Sequence, residues 1–430
     1  MSQTTSGAQV VLDFNSDASR GARGVAAGTF VQNTAVRDAN LISVGLDTAN
    51  TNGPPNLAAN ALVNAAAGTY TAIQNVNRVN TLRTAAALAR VRQRVGNARF
   101  GFVGDSYTRG QGSSLTLNQL FINAFPKQIA ERLPANLNPQ WQSVFGTGTS
   151  SATSLFTNDS RMAQTGAGGW TGAGLSVVGG LALVGSGPAG VMTFTPMTPT
   201  TKCDIWYPQN VSGSFSWQID GGAATTINQV GSKSVIKTTI GGGAAASHVY
   251  SFNWVSGGPN IFGLHAYDDT NSRLDLLNFG RGGAASSYYA NAVDPIWSAL
   301  PLLVDYACDT YFVGLMCNDW WVAAQNIPVP QYTINMQTII TALKAVGDVV
   351  LYSEITQDTA TVASQAKQQS YVEAARGLAV TNNVPFIDVW TQFQNYTLAN
   401  GYGLMSDTFH PSAAGNSLST SLFLNFVNSL

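Results

Sequence analysis

Charge is the first thing this sequence lacks: only 10% of its 430 residues are Asp, Glu, Lys or Arg, and 21 basic residues nearly cancel 22 acidic ones. Soluble domains usually carry about 25%. Binding driven by a basic surface is excluded, so no nucleic-acid partner is expected. Cysteine is as scarce: Cys203, Cys308 and Cys317 are too few and too far apart for a disulfide framework or a four-cysteine zinc site. No apolar run reaches the roughly 18 residues of a membrane span, and the longest candidate, GGLALVGSGPAGVM, is broken by glycine and proline. The opening MSQTTSGAQVVLDF has no basic stretch leading into an apolar one, so the usual export signal is not expected and the chain should be soluble.

What is present is apolar bulk. With 45% hydrophobic residues the chain can bury a large core, and 430 residues lead us to expect two or three domains. Residues 1–95 hold eight Arg and four Asp but no Lys or Glu, among Ala, Asn, Thr and Gly, and read as a separate unit. The short apolar pieces 9–12 and 41–44 suggest strands there, and TLRTAAALARVRQRV (81–95) has high helix propensity. From residue 99 the run RFGFVGDSYTRGQG reads as a strand ending in a glycine-rich loop, and 118–133 as a helix in which Pro126 sits awkwardly. Between 166 and 274 apolar and polar residues alternate. Phe215, Trp217 and Ile219 precede Asp220-Gly221-Gly222, and Tyr250, Phe252 and Trp254 precede Ser256-Gly257-Gly258; both read as hairpins of a β-sandwich. After 275 the chain is α/β, with strands at 274–278, 311–315, 348–352 and 385–389 and helices at 331–346, 362–382 and 412–428.

Hydrolysis by a serine needs a base beside the hydroxyl, a group to orient the base, and donors for the developing oxyanion. Histidine is the limiting type, with three in the chain. His248 and His265 sit in alternating strand-like segments and read as ordinary strand residues. His410 follows Asp407 by three positions and precedes Pro411, which favours a loop in which the carboxylate can hold the imidazole tautomer. Ser106 ends a strand in Gly104-Asp105-Ser106, where a turn serine is the alternative. Gly280 to Gly283 follow another strand, either as a plain turn or as a backbone that approaches substrate. Asn318, in Cys317-Asn318-Asp319-Trp320, follows a third and offers a side-chain amide or an ordinary Asn-Asp turn.

In this order the four pieces resemble the SGNH, or GDSL-type, hydrolase family, over about 96–165 and 275–430. The resemblance implies an α/β fold with a three-layer parallel sheet, Ser106 as nucleophile, His410 as general base and Asp407 as its orienter. It also implies an oxyanion hole from the N–H groups of Ser106 and Gly283 and the side chain of Asn318, with no metal or cofactor. Two positions depart from the family pattern: Met316 stands where glycine is usual two residues before the asparagine, and Tyr107 where an apolar residue often follows the serine. Tyr107, Trp320 and Trp321 are expected either to stack on sugar faces or to pack locally.

A β-rich block between the nucleophile and the glycine turn is similar to the arrangement in bacteriophage tail-associated carbohydrate esterases. That similarity implies units at 1–95 (anchoring or oligomerisation), 96–165 and 275–430 (hydrolase), and 166–274 (a carbohydrate-binding-like sandwich). The implied activity is removal of O-acyl, chiefly O-acetyl, groups from a surface or extracellular polysaccharide. Other tail proteins would be partners, a homo-oligomer such as a trimer the assembly, and the virion or the extracellular space the location. An inactive glycan-binding virion protein and a secreted bacterial lipase or esterase are the rival expectations.

Overall fold

Strands buried on both faces read as near-continuous apolar runs, and four such runs build the centre of the molecule. The computed structural model describes residues 3–6, 9–13, 29–33 and 72–430, except 114–120, 122, 147–151, 167–168, 189, 322–324 and 361. Seven strands form one sheet in the order Ile73–Gln74, Phe386–Ile387, Asp348–Tyr352, Thr310–Gly314, Ala98–Gly104, Leu274–Asn278, Pro139–Gln140. All neighbours are parallel except Ile73–Gln74, which runs antiparallel to Phe386–Ile387.

The pleat sorts the side chains into two layers. Val103, Leu277, Val313 and Leu351 face one core, shared with the helices Ala299–Asp305, Val329–Val346 and Gln365–Thr381. Phe102, Leu276, Phe312 and Val350 face the other, shared with Leu82–Arg92, Phe125–Arg132 and Ala413–Asn428. The result is helix, sheet, helix: the three-layer α/β class expected. Ala98–Gly104 lies between Leu274–Asn278 on one side and Thr310–Gly314 on the other, so the strand order reverses there. In open α/β sheets such a reversal opens a crevice at the carboxyl ends of the strands.

A second set of strands is antiparallel. Thr225–Asn228, Gly213–Ile219, Tyr250–Gly257, Val191–Phe194 and Met162–Thr165 form a five-stranded sheet, and Val235–Ala246, Thr200–Pro208, Gly263–Tyr267 and Gln142–Phe145 a four-stranded one. Both contribute to one apolar core, with Phe215, Phe252 and Phe194 from the first and Ile205, Cys203 and Leu264 from the second. A smaller sheet of Asn260–Ile261, Gly180–Gly185 and Trp170–Val177 adds Trp170 and Leu183 to it. The strands Gln3–Ser6, Gln9–Asp13 and Thr29–Asn33 form a separate antiparallel meander.

Several details differ from the expectations. Residues 73–92 are part of the α/β unit and not of a separate 1–95 region, because Ala87, Leu88 and Val91 bury one face of their helix and Ile73–Gln74 completes the sheet. The antiparallel strands begin at Gln142 and not at 166, since Gln142–Phe145 pairs with Gly263–Tyr267. The helix expected over 118–133 starts at Phe125, which puts Pro126 in its first turn, where a missing N–H costs nothing. Asp220-Gly221-Gly222 does turn a hairpin, but Tyr250–Gly257 pairs with Gly213–Ile219 and Val191–Phe194 and makes no hairpin across 256–258. The strand piece expected at 41–44 lies outside the described residues.

Candidate active site

Four loops leave the carboxyl ends of adjacent parallel strands, and three of them carry the residues singled out above. After Ala98–Gly104 the chain turns into the short helix Ser106–Arg109, with Asp105 as its N-cap accepting the Tyr107 N–H at 2.8 Å. After Leu274–Asn278 comes the glycine turn, held down by the Arg281 N–H donating to the Gly104 carbonyl at 3.0 Å. Gly280 permits this: a Cβ there would stand 2.3 Å from the Arg109 nitrogen. Gly283 has φ +75°, and the space where its side chain would be is open. After Thr310–Gly314 comes the helix Cys317–Trp320, which carries Asn318.

The fourth of the sequence's pieces arrives from the far end of the chain. In the loop before Ala413–Asn428, the Asp407 carboxylate accepts the N–H groups of Phe409 and His410, each at 2.7 Å, and lies 2.9 Å from His410 Nδ1. His410 Nε2 is 2.9 Å from the Ser106 hydroxyl oxygen. Gly112, at φ +82°, lets the two loops close, because a Cβ there would lie 2.6 Å from that of His410. Partial burial raises the Asp407 carboxyl, but hydrogen bonds from His410 and the two backbone N–H groups outweigh this and hold it below its ordinary value. An ionised Asp407 only accepts, so Nδ1 carries the ring proton and the Nε2 lone pair faces the serine. Ser106, His410 and Asp407 are thus placed as a nucleophile, a base and an orienter would be.

The proposed donors fare unequally. Gly283 stands free at its turn, whereas both amide hydrogens of Asn318 are engaged, donating to Asp105 at 2.8 Å and to the Ala284 carbonyl at 3.1 Å. Met316, in place of glycine, has a φ of −154°, so its position does not call for the left-handed conformation that favours glycine. For Tyr107 and Trp320 burial rules out stacking on sugar and leaves the local packing that was its alternative. Tyr107 is stacked on Phe125 beneath the nucleophile turn, and Trp320 donates to Gln357 at 2.6 Å in the core. Both point inward because they occupy inner faces of short helices whose other residues line the site. Trp321 alone stays half-exposed, packed on Phe409 with ring centroids 4.8 Å apart, one residue from His410. Of the other histidines, His248 pairs with Asp220 at 2.6 Å, and His265 lies in an antiparallel strand 3.1 Å from Asp275.

Two acidic residues around the site have roles that sequence reasoning did not assign: Asp319, named there only as part of a turn, and Glu354. Asp319 accepts both the N–H and the hydroxyl of Ser286, tying the asparagine helix to the chain just beyond Gly283, and burial pushes its carboxyl up to about 7. Glu354 follows the strand Asp348–Tyr352 and accepts the N–H groups of Met316 and Cys317 at 2.8 and 2.6 Å. The one available signal was an acidic residue in an otherwise apolar setting at a fourth strand end. Asp105, Cys317 and Glu354 bring possible metal-binding atoms within 4.8 Å of one another, all buried. They do not fit an ion, because three of the four carboxylate oxygens already accept hydrogen bonds, from the N–H groups of Tyr107, Met316 and Cys317 and from Asn318 Nδ2.

Comparison with known proteins follows this geometry. Residues 255–418 match the profile of the GDSL-like Lipase/Acylhydrolase family. The matched stretch contains Gly283, Asn318, Asp407 and His410 and begins downstream of Ser106. Among solved structures, a peptidoglycan O-acetylesterase is similar with a TM-score of 0.62 at 14% identity, over 84% of this chain and 100% of that one. A lipase/acylhydrolase from Enterococcus faecalis aligns at TM-score 0.31 and 19% identity, over 36% of this chain and 76% of that one. A family two carbohydrate esterase from Clostridium thermocellum, in complex with cellohexaose, aligns at 0.28 and 11%, over 58% and 96%. No curated protein sequence matches. The fold is that of the SGNH hydrolases.

Proposed function

We propose, taking the acylhydrolase match and the SGNH fold as premises, that the protein is a serine esterase removing O-acyl groups, O-acetyl in particular, from a surface or extracellular polysaccharide. The observation that carries this reading is the line from Asp407 through His410 to the Ser106 hydroxyl, with 2.9 Å on either side of the imidazole. Ser106 Oγ attacks the ester carbonyl and gives its proton to His410 Nε2. The tetrahedral intermediate collapses as His410 returns that proton to the departing sugar oxygen, leaving the acyl group on Ser106. Water, deprotonated by His410, then attacks the acyl-enzyme; the carboxylic acid leaves and Ser106 recovers its proton. The N–H groups of Ser106 and Gly283 face the oxyanion, and Asn318 joins them by exchanging its bond to Ala284.

Acetate release from O-acetylated capsular polysaccharide, lipopolysaccharide and peptidoglycan, compared between the parent and Ser106→Ala, tests the reading. Equal release by both would end it. The engaged amide of Asn318 favours one rival, a glycan-binding protein with an inactive site; glycan binding without labelling by a serine-directed phosphonate would select that rival.

Trp321, with Phe409 behind it, offers an aromatic face to a sugar ring. Trp321→Ala should raise KM for the polysaccharide about three- to tenfold while leaving kcat on a small acyl ester unchanged. Unaltered KM would remove Trp321 from the substrate surface. The antiparallel sheets are read as the polysaccharide-gripping module, which holds the chain while the ester is placed. The same proposal locates the protein on a phage tail or outside the cell, joined to tail proteins through residues ahead of 72 and assembled as a homo-oligomer such as a trimer. Its support is the likeness of the arrangement to tail-associated esterases, and detection of the chain in purified virions tests it.

A further inference from the structure

Beneath the candidate oxyanion site lie two carboxyl groups that the mechanism does not use. Glu354 and Asp105 are both buried, with oxygens within 4.8 Å of each other. Asp105 spends its oxygens on the Tyr107 N–H and on Asn318 Nδ2. Glu354 Oε2 takes the N–H groups of Met316 and Cys317, and its Oε1 has no hydrogen-bond partner. The groups facing the pair are Tyr107 from the nucleophile turn, Cys317 and Asp319 from the asparagine helix, Tyr352 from the strand before Glu354, Tyr332 from Val329–Val346, Tyr289 from the short helix Ser286–Tyr289 and His410 from its loop. Of these only His410 can carry positive charge. Two carboxylates this close in a dry interior cannot both ionise, so one proton stays with the pair.

We propose that Glu354 is a positioning residue for this site: it shares one buried proton with Asp105 and, through the N–H groups of Met316 and Cys317, fixes the loop that presents Asn318. The inference rests on the esterase reading above for its kinetic consequences, though not for the proton itself. Burial pushes both carboxyls up, and for Asp105 the neighbouring Glu354 adds to it. The unpartnered Oε1 is the seat that leaves every other acceptor satisfied. A proton there keeps the carboxyls from repelling each other, so Asp105 stays at its two donors and Asn318 stays beside the nucleophile turn. Glu354 thereby holds the first two N–H groups of that loop from below.

Glu354→Gln reproduces the protonated state, with an oxygen for the two N–H groups and an amide hydrogen for Asp105, whereas Glu354→Ala leaves both N–H groups buried and unpaired. On a short acyl ester, Glu354→Ala is expected to lose about 10²-fold in kcat with KM little changed, and Glu354→Gln to restore most of it. The parent should lose kcat at high pH as the shared proton leaves, and Glu354→Gln should lack that decline. Infrared difference spectra, parent minus Glu354→Gln at neutral pH, should show the carbonyl band of a protonated carboxylic acid. Equal impairment of the two variants at equal melting temperature, an unchanged high-pH decline in Glu354→Gln, or absence of the band would each overturn the proposal. A parent that neither turns over ester nor takes up phosphonate would refute the esterase reading, and the infrared band would still decide the proton.

Discussion

Ser106→Ala is expected to lower kcat on a short acyl ester by about 10⁴- to 10⁶-fold and to abolish labelling by a serine-directed phosphonate. The size follows from the wiring of the site. The Ser106 hydroxyl is the hydroxyl to which His410 Nε2 is hydrogen-bonded, and among the described residues no second hydroxyl is hydrogen-bonded to that nitrogen. The fold should survive the change, because Ser106 starts a helix whose cap is Asp105 and whose core contact is Tyr107, neither of which needs the hydroxyl. A melting temperature close to the parent's, with activity lost, separates chemistry from collapse. Turnover within a few-fold of the parent would remove Ser106 from the mechanism.

The second large effect belongs to the imidazole. His410→Ala should cost about 10⁴-fold in kcat, and Asp407→Asn less, because the asparagine side chain retains the two backbone hydrogen bonds but no longer selects the tautomer by charge. The pH dependence has a definite sign. The Asp407 carboxyl lies below its ordinary value, so it stays ionised as pH falls through the usual carboxylate range. The acid-side loss of kcat therefore reports the protonation of His410 Nε2, which ends its service as a base. In Asp407→Asn that acid limb should move to lower pH, since a neighbouring negative charge no longer favours the imidazolium. An acid limb that stays put in Asp407→Asn would show that the carboxylate does not act on the ring.

Strand positions along the central sheet were legible because of burial on both faces. Leu274–Asn278 and Asp348–Tyr352 coincide with the largely apolar runs that announce them, with Asp275, Asn278 and Asp348 the polar exceptions. The site was legible for a related reason: each loop begins where such a run stops, so Ser106, Gly283 and Asn318 could be assigned to strand ends and His410 to the approach to the last helix. What local pattern could not supply was partner choice. Tyr250–Gly257 alternates like one arm of a hairpin, yet its neighbours are 31 or more residues away in sequence, and only the shared core selects them. Phe386–Ile387 is shorter than the apolar run 385–389 because Asp388 caps a helix, accepting the Thr391 N–H at 3.0 Å. For Tyr107 and Trp320 the choice between sugar stacking and local packing stayed open, because adjacency in sequence says nothing about which side of a one-turn helix a ring takes. Glu354 was missed because its meaning lies in two backbone N–H groups 37 and 38 residues earlier.

The two rims of the parallel sheet have different attachments. At one, Ile73–Gln74 receives the chain from its amino-terminal part; at the other, Pro139–Gln140 hands it to the antiparallel strands. If the molecule is moored by the first and grips a polymer with the second, tension must cross the sheet sideways, from rim to rim, through the ladders on both sides of Ala98–Gly104. The strand that delivers Ser106 then lies in the path of the pull, so a tug strong enough to part those ladders would disarm the serine before it freed the polymer.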